Sequence, residues 1–182
     1  TQNVLRLECA AGPVAARFVS PGVVSIDMGI PSFDPASLPF DATLATRSQN
    51  DASAIERHAL VVARTEVHFG AVSMGNPHSV VGVDDVATVD LAELGQKVPH
   101  VNLEIIEPGP EPHAITMRVH ERGAGITMAC GTGACAAAEA AVAWGLVPAS
   151  TPEVIVHMDG GDAKVRVDSS TRAVTLIGPA VF

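Results

Sequence analysis

The chain is short of cations: 11 lysines and arginines face 20 acids, and the formal net charge of −9 is spread without blocks. No basic stripe is available to follow a phosphate backbone, which argues against nucleic acid as a partner. No run approaches the roughly 20 uninterrupted apolar residues of a membrane span, so no membrane partner is expected. Thr1 to Glu8 lack the basic stretch and apolar stretch of a secretory signal, and the expected location is the cytoplasm. Cysteine is scarce and odd in number: Cys9, Cys130 and Cys135. Three thiols make a poor disulfide framework and are expected to stay reduced. Methionine is absent from position 1 and the chain stops at Phe182 within IGPAVF, which reads as part of a longer protein.

What is present is enough apolar material for a core, 47% of 182 residues, in one domain or two small lobes. The first 28 residues run VLRLEC, PVAARFV and VVSIDM with Ala-Gly and Pro-Gly between them, the pattern of a three-stranded antiparallel meander. PSFDPASLPF, with three prolines, reads as an extended connector and puts a lobe boundary near Gly29 to Pro39. Strand patterns follow at TEVHFGAVSM, SVVGV, VNLEIIE and HAITMRVHE. Asp84 or Asp85 is placed to cap a short helix after SVVGV. EVIVHM, AKVRVD and AVTLIG close the chain as strands.

Before those closing strands stands ERGAGITMACGTGACAAAEAAVAWGL, residues 121–146. Seven alanines between Gly133 and Trp144, with Glu139 the one charge and Gly145 at the end, predict a helix apolar nearly all round. Such a helix must be buried. The fold class is therefore α+β, a curled, mostly antiparallel sheet wrapped around a central apolar helix. The tip of that helix is expected to be deep as well, where each unpaired N–H of Gly131, Thr132 or Gly133 costs roughly 1–3 kcal/mol. A ligand carboxylate meets that need, helped by the helix dipole and by glycines that let it approach. Cys130 at the positive tip is expected to favour its thiolate, as a base or nucleophile. Glu121 and Arg122, across a glycine-spaced loop, add a carboxylate for an amino group and a guanidinium for an acid, as a zwitterion requires.

Plainer readings hold elsewhere. Cys135, among alanines, reads as inert packing. GAGITMACGTG has the wrong glycine register for a dinucleotide loop. Zinc is a poor fit to scattered histidines without a C-x₂-C pair, so no metal is expected. SMGNPHSVV, residues 73–81, is first of all a turn between two strands. If it faces the helix mouth, Asn76 can bond a ligand and His78 can exchange a proton with a thiol.

VSMGNPHSVV, the VN of HVNLEII, and RVHERGAGITMACGTGACA together resemble the diaminopimelate epimerases, with DMGIPSFDP and IGPAVF as weaker support. The resemblance spans essentially the whole chain. It implies a cofactor-independent amino-acid epimerase with Cys130 as one of two catalytic cysteines, and His78 and Glu121 tuning proton transfer. Asn76, Asn102, Glu121 and Arg122 would hold the distal end of diaminopimelate, and the backbone at Gly131 and Thr132 the reacting carboxylate. It implies two similar lobes: residues 1–29 as trailing strands of a first lobe, 30–178 as the C-terminal lobe, and 179–182 as the start of a strand returning to the first.

Two departures accompany the resemblance. Ile126 stands where many members carry an acid. The family's other thiol, in a CGNG-like motif, has no counterpart here, since Cys9 in LECAAG does not match it. Inversion at carbon needs a base on one face and an acid on the other, so the isolated chain is expected to be inactive or nearly so. Exposed strand edges would favour a homodimer. The rivals are another isomerase of the same fold, such as a proline racemase or phenazine-type isomerase, and a non-catalytic binding fragment. Asn76, Asn102, Glu121 and Arg122 suit a second amino-acid head group that proline lacks.

Overall fold

A computed structural model describes residues 4–9, 12–39, 46–47, 55–62 and 65–180. The leading meander is present as β1 (Val4–Cys9), β2 (Gly12–Ser20) and β3 (Val23–Gly29), paired antiparallel in that order. Asp34 then accepts from the Ala36 N–H at 2.9 Å and starts a single 3-10 turn at Pro35–Ser37, so the connector is not extended throughout as expected. Proline tolerates the first position of such a turn because its missing N–H would be unpaired there anyway. Ser32 bridges to Ser73 and ties the connector to the sheet.

Next come β4 (Thr46–Arg47), β5 (Arg57–Val62), β6 (Thr65–Ser73) and β7 (Pro77–Gly82). Helix α1 (Leu91–Lys97) is capped by Asp90, whose side chain accepts from the Glu93 N–H at 3.0 Å, and not by Asp84 or Asp85. Asp85 is occupied by an earlier turn, where it takes the Ala87 N–H at 2.8 Å. Strands β8 (Asn102–Pro108), β9 (Ala114–Glu121) and the short β10 (Gly125–Thr127) lead to helix α2 (Gly131–Ala143). After it come β11 (Val154–Met158), β12 (Gly161–Val167) and β13 (Val174–Pro179).

The strands form one sheet in the order β1-β2-β3-β13-β12-β11-β9-β8-β7-β6-β5-β4, with β10 on β9. Its described pairings are antiparallel except β7 with β8 and β9 with β11. Strands β6 to β9 and β11 to β13 all touch α2, so the sheet curls around it. The helix is buried from Gly133 to Ala141, as its composition requires. Alanine side chains keep the rod thin enough for Val72, Val80, Ile106, Ile115, Met117 and Val156 to close on it. Each larger side chain buried this way contributes about 1.5–3 kcal/mol. Gly145, at φ +74°, ends the helix.

The sheet is covered on its other face too. Leu91 of α1 and Leu38 of the connector pack with Phe69, Val81, Leu103 and Ile105 in a second core. Strand β8 is thus sandwiched: Leu103 and Ile105 enter this second core, while Ile106 points to α2. Alternation along a strand puts Asn102 and Glu104 on the α2 side with Ile106. Both are buried polar residues facing the helix.

Candidate active site

The helix mouth is less deep than expected. Gly133 and the residues after it are buried, but Thr132 is half-buried and Gly131 exposed. The buried rod reaches the surface at its N-terminus, where Met128, Ala129 and Gly131 are exposed. Among the described residues no acceptor meets the N–H of Gly131 or Thr132, the ordinary state of a first helical turn. Cys130 is the N-cap: its carbonyl takes the Ala134 N–H at 2.8 Å and its sulfur faces the Gly133 N–H at 3.4 Å.

The expected turn residues arrive at this sulfur. Asn76 Nδ2 donates to Thr132 Oγ1 at 3.2 Å, and Thr132 Oγ1 is 3.5 Å from Cys130 Sγ. His78, fully buried, places Nε2 3.1 Å from Asn76 Oδ1 and Nδ1 2.7 Å from Glu104 Oε1. The parallel pairing of β7 and β8 sets this up, with His78 opposite Asn102 and Val80 opposite Glu104. Asn102 is spent on the scaffold: Nδ2 donates to the Pro77 carbonyl at 3.2 Å and Oδ1 accepts from the Arg122 N–H at 2.9 Å. Glu121, at the end of β9, accepts from the Thr127 hydroxyl at 2.5 Å. Arg122 is exposed beside it.

The expected thiolate is not what this environment favours. Burial pushes the Cys130 thiol above its ordinary value; the Thr132 hydroxyl and Gly133 amide pull down, and Glu104 and Glu121 push up again. Desolvation of the sulfur and two nearby carboxylates outweigh the donors at the helix tip, so the thiol rests protonated. Cys135, fully buried, is pushed to about 12 by burial, in keeping with inert packing.

Glu104 is the residue that sequence reasoning passed over. It is fully buried, its carboxyl is pushed up by that burial against the pull of His78, and Oε2 has no partner among the described residues. Its place inside the buried run Asn102–Ile106 emerges only in the structure. Read as a strand with one wet face, VNLEIIE gives no reason to look at it. No cluster of histidine, cysteine or acid suited to a metal occurs among the described residues.

Residues 70–182 match the family profile described as diaminopimelate epimerase. The chain belongs to that family. It is 38% identical over 187 residues to the diaminopimelate epimerase of Chromobacterium violaceum and 40% over 184 residues to that of Laribacter hongkongensis. Each alignment covers 97% of this chain and 62% of the relative, so the chain spans under two thirds of the length of these epimerases. The fold is shared with a hydroxyproline epimerase of Agrobacterium vitis at TM-score 0.62 and 17% identity, over 98% of this chain and 56% of the other. A phenazine biosynthesis protein of Bacillus anthracis gives TM-score 0.62 at 14% identity, over 100% and 67%. The α+β reading, a curled sheet on a central helix, stands with these epimerase-type folds.

Proposed function

We propose that this chain is the Cys130-bearing part of a diaminopimelate epimerase that interconverts the LL and meso forms by proton transfer between two thiols, without a cofactor. The observation that carries the proposal is the convergence on one helix tip of Cys130, the amides of Gly131 and Thr132, and the Asn76–His78 turn. The amides take the reacting carboxylate; a carboxylate there also screens the positive helix end. Cys130, protonated at rest, delivers its proton to one face of the α-carbon, and returns to the thiol by taking one in the reverse direction. His78 and Glu121 modulate that transfer. Asn76, Asn102, Glu121 and Arg122 hold the distal amino-acid end, with Asn102 acting by fixing the Arg122 backbone. Residues 1–29 and 179–182 belong, in this reading, with a first lobe supplying the opposing thiol, and residues 30–178 form the lobe described above.

The test is complementation in the tube. The chain alone is expected to give no useful epimerisation, and mixing or co-expressing it with the first lobe of a relative to restore it. Chromatographic separation of LL and meso diaminopimelate reads the result. Absence of any gain, with both pieces folded, overturns the proposal.

A further inference from the structure

We propose that Glu104 is a positioning residue that, through His78, sets the direction of a hydrogen-bond chain ending on the Cys130 sulfur. The inference rests on the reading of Cys130 as the reactive thiol and adds what controls its proton.

The direction follows from which atoms can donate. Asn76 Nδ2 gives its hydrogen to Thr132 Oγ1, which leaves Asn76 Oδ1 as an acceptor. The His78 Nε2 facing that oxygen at 3.1 Å must therefore carry a hydrogen. The other ring nitrogen, Nδ1, lies 2.7 Å from Glu104 Oε1. One proton is shared along that short line, whether drawn as imidazolium with carboxylate or as imidazole with carboxylic acid, and both drawings leave Nε2 protonated. Thr132, having accepted from Asn76, still has its own hydrogen to give to the sulfur 3.5 Å away, a contact in which either atom can be the donor; in the proposed chain the hydroxyl donates.

This setting decides where the thiol proton goes. With the Thr132 hydroxyl donating to sulfur, the S–H hydrogen is not spent on Thr132 and is left for a ligand at the helix tip. Once that proton has been delivered, the sulfur anion is met by the Thr132 O–H and the Gly133 N–H. In the reversed setting the S–H points at Thr132 Oγ1, and the anion loses one of its two donors. Glu104 prevents reversal because a hydrogen on Nδ1 alone, with Nε2 bare, would leave a carboxylate in a wholly buried site facing a neutral ring, at a high desolvation cost. Burial pushes the Glu104 carboxyl up, which agrees with a proton held between it and His78. The ionisable groups around this chain are Glu121, which acts on both Glu104 and Cys130, and Cys135 on the helix.

Two measurements on the 182-residue chain decide it. The first is NMR of ¹⁵N-histidine-labelled protein, with His78 assigned by loss of its signal in His78→Gln. Nε2 is expected to carry a hydrogen, with Nδ1 facing Glu104. A bare Nε2 overturns the inference and needs no folded Glu104 variant. The second is the pH dependence of Cys130 alkylation, read by mass spectrometry. Glu104→Met removes a nearby carboxylate and any donor or acceptor for His78 Nδ1; by charge alone it must lower the half-maximal pH. A lost directing proton must raise it, by on the order of half a pH unit, roughly threefold in rate below the midpoint. A fall or no change overturns the inference. Thr132→Val, which cuts the chain without touching the buried pair, is expected to raise the midpoint, and Thr132→Ser to restore it; an unshifted Thr132→Val also overturns it. If instead Cys130 in the unaltered chain is alkylated no faster than Cys135, the reading of Cys130 as the reactive thiol fails.

Discussion

Gly133 and Glu104 fit together because Gly133 has no side chain: a β-carbon there would stand 2.7 Å from Glu104 Oε1 and 3.2 Å from the Cys130 sulfur. Glycine at 133 is thus a space requirement of the buried acid, in a helix where alanine is otherwise the rule. Gly133→Ala is expected to displace the Glu104 carboxyl and cost about 1–3 kcal/mol by overpacking. Urea unfolding gives the loss, and the alkylation midpoint of Cys130 should move with it. An unchanged midpoint would mean that Glu104 and the sulfur respond independently.

Glu139 is the second acid inside the sheet. Its Oε2 meets Arg172 Nη2 at 2.8 Å, and its Oε1 has no partner among the described residues. Arg172→Ala should cost roughly 2 kcal/mol, less than a fully buried pair because the Arg172 side chain is 46% exposed. Glu139→Leu should cost less than Arg172→Ala, since no charge is then left inside.

The same pair predicts a pH dependence. Burial raises the Glu139 carboxyl above its ordinary 4.5, with Arg172 pulling it back. A carboxyl raised on folding favours the folded state at low pH, and that share is lost as pH rises through the raised value. Arg172→Ala raises it further, so its penalty should be larger at pH 8 than at pH 5 in thermal melts. An equal penalty at both rules out an ionising Glu139.

His157 loses its share in the same direction of pH, by deprotonation of a cation rather than ionisation of an acid, and in its own window. It bridges Glu111 at 2.9 Å and Asp162 at 2.8 Å, and the Glu111 bond leads in raising it above its ordinary 6.5. Glu111 is lowered below 4.5 by the same bond. The bridge therefore stabilises fully below about 6.5 on the histidine side, is lost as pH rises through the raised His157 value, and weakens again in acid as Glu111 protonates. His157→Gln should lower the melting temperature more at pH 6 than at pH 9. Equal effects at the two values would discount the bridge.

The outer strand β1 exposes Leu5 and Leu7 and stands at one end of the sheet among the described residues. Self-association through that edge is the expected behaviour of the chain alone. Leu5→Lys should shift light scattering toward the monomer. A monomer in the unaltered chain at high concentration argues against the homodimer.

The helix was the most legible part of the fold, because seven alanines between 134 and 143 with one charge admit few arrangements other than a buried rod. The meander was legible for a similar reason, Gly22 at φ +73° marking its second turn. The α1 cap was not: Asp84, Asp85 and Asp90 are equally good caps by type, and only the turn that consumes Asp85 separates them. In the site, Asn76 and His78 were visible as a turn but their direction was not, since a turn can face either side of a sheet. The resting state of Cys130 is not legible because sequence shows the helix tip but neither the burial of the sulfur, which is the main cause of its raised value, nor Glu104, which lies on a strand 26 residues before the cysteine. A strand covered on both faces hides its polar residues from any pattern based on alternation.

That double covering makes β8 intolerant of length changes. An insertion or deletion of one residue in the approach from Val98 to Val101 would rotate the strand by one place against β7 and β9. Leucine and isoleucine would then occupy the positions beside His78, and the asparagine and acid would be driven into the hydrocarbon under α1. Insertions in this lineage should accordingly be confined to segments such as the Pro148–Thr151 turn, where an extra residue moves no side chain across the sheet.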